Sequence, residues 1–335
     1  MKEGRWFISF AAQIIADAEA LNMVESIGNY TRHRRVPVVA YSDGSFKLRY
    51  VPAVSGESLA HAYQSILVDL ALASNIPNMP VCEYCGRKEF VKHAAEELFG
   101  SAQWEEELKE MKDPHLIEKK ILENCVVEDV GGFLYTTGVV KRTSRIGFSY
   151  MIPSKAFLAS AALEPQFHVR HVPSRPERRI QMIYYVETGS AIYALSGYLD
   201  LCNIGCTSMI KRECLPDAKA RAKLAVKALG VMLTNAEFGA KRSRFFPNWE
   251  LLSLVVAVSS PVKFNVTPPH STDFIKNTVE RAKRYKEELK EFEEEINVFF
   301  YINPNYEEAL IKPEGVTSEP PEEIFTKLEK YAEKC

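Results

Sequence analysis

The chain has 335 residues, 46% of them hydrophobic and 26% charged, with a formal net charge of -2. Such a length predicts two domains or one core with large insertions, and the apolar fraction excludes wholesale disorder. The longest strongly apolar run, Leu251 to Val258, is far short of the roughly 20 residues of a membrane-spanning helix. The opening Met1-Lys2-Glu3-Gly4-Arg5 leads into no small-residue cleavage pattern, so a cytoplasmic protein with no membrane partner is expected. Seven unevenly spread cysteines do not read as a secreted disulfide framework.

Charge is unevenly distributed. Residues 87 to 129 carry seven Lys/Arg against twelve Asp/Glu, and residues 270 to 335 carry ten against sixteen. Residues 141 to 180 hold eight basic side chains (Lys141, Arg142, Arg145, Lys155, Arg170, Arg175, Arg178 and Arg179) and only two acids, Glu164 and Glu177. The near-neutral total hides a cationic middle.

In chain order, Arg5 to Ile15 reads as an opening strand. Val36 to Ala40 and Phe46 to Val51 form a hairpin through Asp43-Gly44. Ser55 offers an N-cap to a helix in which Leu59, Tyr63, Ile66, Leu67 and Leu70 recur at helical spacing. Cys82 to Asn124 is acidic and helical, as in an insertion. Strand-like segments follow at Phe133–Val140, Arg145–Ile152, Gln166–Arg170 and Ile180–Glu187, the last turning through Thr188-Gly189-Ser190 into Ala191–Leu199. Leu224, Ala228, Leu229, Met232 and Leu233 mark a second helix, and Glu250 to Ser259 a buried strand. A tail helix is predicted over Asp273 to Asn297, with a seam of Ala282, Tyr285, Leu289, Phe292 and Ile296.

Without the insertions, this order is compatible with an α+β, βαββαβ ferredoxin-like core whose two helices cover one sheet face and leave the other free for a ligand or insertions. The expected organisation is a first half-core at 1–79, an acidic helical insertion at 80–130, a second half-core with inserted hairpins at 131–260 and a helical extension at 261–335.

The chain lacks a phosphate loop, a dinucleotide fingerprint, a Gly-x-Ser-x-Gly elbow and a His-Glu-x-x-His zinc helix. What stands out instead is four polar-basic clusters at expected loops or strand ends: Thr31-Arg32-His33-Arg34-Arg35, Lys141-Arg142-Thr143-Ser144-Arg145, His168-Val169-Arg170-His171 and Lys241-Arg242-Ser243-Arg244. Arginine forks match phosphate oxygens, while hydroxyls add donors without selecting a base, so the clusters suit a sugar-phosphate backbone. Each cluster alone also fits a solvated loop. His168 and His171 suggest a ribonuclease acid and base, but strand alternation would set them on opposite faces. Cys82-Glu-Tyr-Cys85-Gly86 is half of a structural zinc site; His93, Cys125, Cys202, Cys206 and Cys214 are the candidates to complete it, with a disulfide or free thiols as alternatives.

Six segments together resemble a known family: Asn22–Arg34, Val54–Tyr63, Asp129–Phe133, Arg142–Arg145, Gln166–Arg170 and Gly239–Phe245. They are similar, in the same order, to the archaeal type I-A CRISPR Cascade backbone subunits, the DevR-type Cas family seven of the RAMP superfamily. The resemblance implies a modified RNA-recognition, ferredoxin-like core with inserted subdomains and no catalytic activity. It implies stacking of copies into a helix along crRNA, contacts with other Cascade subunits, and pairing of target DNA with the guide. Carried over residue by residue, the implied guide contacts are Asn22, Ser26, Arg32, His33 and Arg34 in the first loop, His168 and Arg170 on the sheet, and Lys241, Arg242, Ser243 and Arg244 in the loop after the second core helix. Lys141, Arg142, Thr143, Ser144 and Arg145 would belong to a projecting hairpin. No cofactor is required, apart from the zinc that Cys82 and Cys85 suggest. The alternative readings are a RAMP-type endoribonuclease processing guide RNA and a metal-stabilised interaction protein without RNA function.

Overall fold

In a computed structural model, the chain is described over residues 5–74, 79–172, 180–235 and 238–335, the side chains of 170–172 and 180–182 excepted. Arg175, Arg178 and Arg179 of the cationic middle, and the side chain of Arg170, lie outside the described residues. The strands are β1 (Phe7–Glu19), β2 (Met23–Ile27), β3 (Tyr30–His33), β4 (Arg35–Ser42), β5 (Ser45–Pro52), β6 (Phe133–Tyr135), β7 (Val140–Arg142), β8 (Ile146–Phe148), β9 (Ile152–Pro153), β10 (Ala162–Val172), β11 (Ile180–Leu199), β12 (Asn248–Ser260) and β13 (Glu295–Ile302). The helices are α1 (Gly56–Ala73), α2 (Glu83–Gly86), α3 (Gln103–Glu110), α4 (Pro114–Asn124), α5 (Val126–Gly131), α6 (Ala218–Thr234), α7 (Phe274–Glu288) and α8 (Pro321–Ala332). None of the described helices is long and apolar enough to cross a membrane.

The fold is α+β around a nine-stranded mixed sheet in the order β13-β12-β1-β11-β3-β2, with β8, β9 and β10 also pairing β11. β1 runs antiparallel to both β11 and β12, whereas β3 joins β11 in parallel. β1 and β12 are apolar on both sides because both sides are covered. Phe10, Ile14, Leu254, Val256 and Val258 pack beneath Leu59, Tyr63 and Leu67 of α1, Leu229 of α6 and Phe325 of α8. Ala11, Val255 and Ala257 point the other way, into Phe264, Phe274, Ile275 and Phe300. Each fully buried Leu or Phe contributes about 1.5–3 kcal/mol. The face left open by the two core helices is filled at this end of the sheet by α7 and its approach. Ser55 caps α1 by accepting from the Ser58 N–H at 3.2 Å, and Tyr63 ties α1 to α6 by donating to Ala225 O at 2.9 Å.

Four expected elements differ, one of them the Arg145–Ile152 strand, which is two short ones, β8 and β9. Thr188-Gly189-Ser190 makes no turn: β11 runs straight through it, pairing these residues with Glu164, Leu163 and Ala162 of β10. Gly189 is needed there for close approach, since a Cβ would lie 2.5 Å from a Glu19 carboxylate oxygen. The tail helix stops at Glu288, and after Glu293 in a left-handed conformation the chain becomes β13. Ile296, Phe300 and Ile302 are buried at even spacing, the period of a strand, and pair β12. The Phe133–Val140 strand is two short ones, β6 and β7. The chain also forms two disulfides, Cys202–Cys335 and Cys206–Cys214, which removes Cys202, Cys206 and Cys214 from the candidate metal ligands.

Candidate nucleic-acid interface

β1 ends at Glu19, whose buried carboxylate accepts from Tyr193 Oη at 2.6 Å and Leu21 N at 2.7 Å and pairs with His33 Nε2 at 2.7 Å. Burial pushes the Glu19 carboxyl up, but the His33 hydrogen bond and charge outweigh it and hold it below its usual value. Burial pushes the His33 imidazole down, and the Glu19 hydrogen bond and charge reverse that, leaving it raised. His33 has no exposed side-chain surface. Its expected place among the guide contacts is corrected: it anchors the end of β3 from within. Asn22 and Arg34 are half-buried and locked together, because Asn22 Oδ1 accepts both Arg34 Nε at 2.8 Å and the Ser55 N–H at 2.9 Å, fastening the base of the β2–β3 pair, where a loop was expected, to the start of α1. Ser26 is exposed, and Arg32 is partly exposed beside Glu25 at 3.2 Å.

The loop after α6 returns to the same region. Gly239 takes a φ of +110° against Leu21, a conformation and a contact that a side chain would obstruct, and the Ala240 N–H donates to Leu21 O at 3.2 Å. Lys241 has a positive φ, and its carbonyl accepts from the N–H groups of Arg244 and Phe245, closing a tight turn that lifts Ser243 and Arg244 into solvent. Burial, with the Arg244 charge, holds the Lys241 ammonium below its ordinary value. Arg244 donates to Tyr184 Oη at 2.8 Å; the His168 ring stacks on Tyr184 at 5.1 Å and meets the edge of Phe245 at 5.4 Å. Arg242 lies over Phe246 and, with Asn22, Ser58, His61, Lys88 and Gly239, lines a cleft of about 450 Å³. Clusters far apart in sequence thus share one surface.

Further along β10 lies a second cleft of about 620 Å³, lined by Arg35, Tyr41, Arg49, Tyr50, Lys155 and Leu163 among others. Leu163 and His168 are five positions apart on one strand, or about 17 Å at the rise of a β-strand. Arg35 is held by Glu187 on β11 at 2.5 Å. Sequence reasoning missed Arg49, Tyr41 and Tyr50 as site residues. The signal was the presence of Arg49 and Tyr50 on one strand of a hairpin whose other strand carries Tyr41.

The Lys141–Arg145 cluster does not join this surface, and its residues line neither cleft. Arg142 has no exposed side-chain surface: it donates to Glu118 Oε1 at 2.9 Å, Asp129 O at 2.7 Å, Cys206 O at 2.8 Å and Asn203 O at 3.0 Å, and also pairs with the Asp129 carboxylate. Arg221 reaches the same Asp129 from α6 at 3.3 Å. Arg145 is buried as well, and desolvation lowers its pKa. Ser144 donates to Ile146 O at 2.7 Å, while Lys141 and Thr143 are exposed. The expectation that Arg142 and Arg145 touch RNA is corrected: both are buried, and Arg142 is held by the acids of α4 and α5, the second of which Arg221 also reaches from α6. Cys82 and Cys85, by contrast, are free and buried next to Cys125 and Glu128.

Residues 10–279 match the family described as CRISPR-associated negative auto-regulator DevR/Csa2. The chain belongs to this family. It is 40% identical over 287 residues to the CRISPR-associated aCascade subunit Cas7/Csa2 2 of Saccharolobus solfataricus, a match covering 83% of this chain and 87% of the relative. It is 37% identical to the CRISPR-associated protein Cas7/Csa2 1 of the same organism, across 78% and 81% of the two chains. A Methanocaldococcus jannaschii Cas7/Cst2/DevR protein is 25% identical over 85% of this chain and 92% of its own length. Among solved structures, a chain of a pre-nicking CRISPR RNA-guided surveillance complex superposes with a TM-score of 0.54 over 97% of this chain and 100% of its own, at 10% identity. That likeness is one of fold.

Proposed function

We propose that the chain is a non-catalytic guide-RNA-binding subunit of a CRISPR Cascade surveillance complex, repeated along the crRNA so that the guide stays open for pairing with target DNA. The observation that carries this reading is the meeting of Arg244, Tyr184, His168 and Phe245 beside the cleft of Asn22 and Arg242. Guanidinium, amide and hydroxyl donors there suit phosphate and ribose, and aromatic rings suit stacking; neither demands a particular base. Sequence choice then falls to base pairing. A relative 40% identical is named an aCascade subunit, which supports membership of such a complex. The neighbour order β12-β1-β11-β8, with α1 between β1 and β8 in sequence and α6 between β11 and β12, supports a ferredoxin-like βαββαβ core.

The second reading, guide-processing endoribonuclease activity, rests on His168. Its Nε2 is shut off from solvent and its ring is packed between Tyr184 and Phe245, so it is poorly placed to reach a ribose hydroxyl. Incubating purified protein with end-labelled repeat RNA separates the two. Retention of intact RNA is expected; metal-independent cutting that disappears in His168→Ala would overturn the non-catalytic reading.

A further inference from the structure

Three of the seven cysteines come together with a carboxylate, and none of the four residues lines either cleft. Cys82 precedes α2 and Cys85 lies within it, the two ends of a C-x-x-C turn. Cys125 is the junction of α4 and α5, and Glu128, three residues on, returns to the same side of the helix. The Val126 N–H donates to Pro80 O at 2.9 Å and clamps the two segments. One ligand atom from each of the four residues lies within 4.8 Å of the other three, and all four are buried. The remaining cysteines are taken up in the two disulfides.

Free thiols alone do not account for this arrangement, because thiols have no need of a buried carboxylate and a carboxylate is costly to bury. Glu128 is fully buried, and its Oε2 has no hydrogen-bond partner among the described residues. Its Oε1 faces Cys82 Sγ at 3.6 Å and His93 Nδ1, and His93 is fixed from behind by Glu105 at 2.8 Å. Such a histidine-braced carboxylate resembles the outer support of a metal ligand.

We propose that Cys82, Cys85, Cys125 and Glu128 bind one zinc ion in a closed tetrahedral site. With Zn–S distances of about 2.3 Å, sulfur atoms in such a site are roughly 3.8 Å apart, so the four side chains need only small inward shifts. Binding displaces the thiol protons to solvent and gives Glu128 Oε2 a cation. With all four positions filled by protein and no place left for substrate water, the ion is structural. It fastens residues 82–101, which contain only α2 and a 3₁₀ turn at Glu96–Leu98, to α4 and α5.

Metal analysis of the full-length purified protein tests this. About one zinc per chain is expected, retained in Cys206→Ser and lost in Cys125→Ser. Glu128→Gln is expected to keep zinc but to yield it to a chelator at least about tenfold more readily. Because Cys125→Ser can fail to fold, the wild type is also produced in cobalt-supplemented medium, where an intense thiolate-to-cobalt absorption band is expected. Folded wild-type protein with neither stoichiometric zinc nor that band, or with Cys82 and Cys85 joined in a disulfide, would overturn the proposal.

Discussion

Glu19 and His33 form an ion pair with no exposed side-chain surface, at the point where the opening strand hands over to the first loop. Because the His33 pKa is raised above 6.5, its contribution is fully present below about pH 6.5 and fades as pH rises through the raised folded value. Because the Glu19 pKa is lowered below 4.5, its contribution is present above about pH 4.5 and fades as pH falls through the lowered folded value. The pair therefore stabilises most between about pH 4.5 and 6.5. A double-mutant cycle of Glu19→Gln and His33→Gln, read by denaturant unfolding, is expected to give a coupling of about 1.5–3 kcal/mol in that window and less at pH 9. A coupling that grows toward alkaline pH would contradict the assignment. Residue type alone misled at His33 and Arg142. Both sit in basic clusters, and what turns them inward are acids remote in sequence: Glu19 for the first, Glu118 and Asp129 for the second.

At the scale of elements, the β4–β5 hairpin stands out. Its turn, Asp43-Gly44, has positive φ at both positions, as its residue types imply. One face pairs Tyr41 with Phe46 and Val39 with Leu48 across the strands, and Tyr41, Phe46, Leu48 and Tyr50 are 66%, 77%, 59% and 70% exposed. The proposed repetition along RNA requires a surface for the next copy, and this apolar face suits it. Tyr41→Lys with Phe46→Lys is expected to leave monomer unfolding unchanged while weakening association on RNA at least tenfold, from about 2 kcal/mol per ring, as read by sedimentation. Assemblies of unchanged size would contradict that role. Hairpin, core helices and central strands were legible because alternation and helical spacing are local. The continuation of β11 through Thr188-Gly189-Ser190 was not, since it depends on β10 and Glu19 lying alongside.

For the whole molecule, the first loop, the loop after α6 and the β10–β11 hairpin were legible as basic segments, and folding brings them together through Leu21 with Ala240 and Arg244 with Tyr184. The cluster at Lys141–Arg145 looked the same in composition, yet its two arginines are buried and Arg142 is paired with interior acids. Composition registers a charge but not the partner that neutralises it. The near-neutral chain therefore carries a local cationic track rather than a basic body.

This track is proposed to grip sugar-phosphate without choosing bases. The most direct measurement is the dependence of single-stranded RNA affinity on salt for wild type and for Lys241→Ala/Arg242→Ala/Arg244→Ala, with two unrelated RNA sequences. Equal weakening is expected for both RNAs, with a slope of log affinity against log salt shallower by about 2, since each lost phosphate contact removes about 0.7. An unchanged slope, or a loss confined to one RNA sequence, would contradict it.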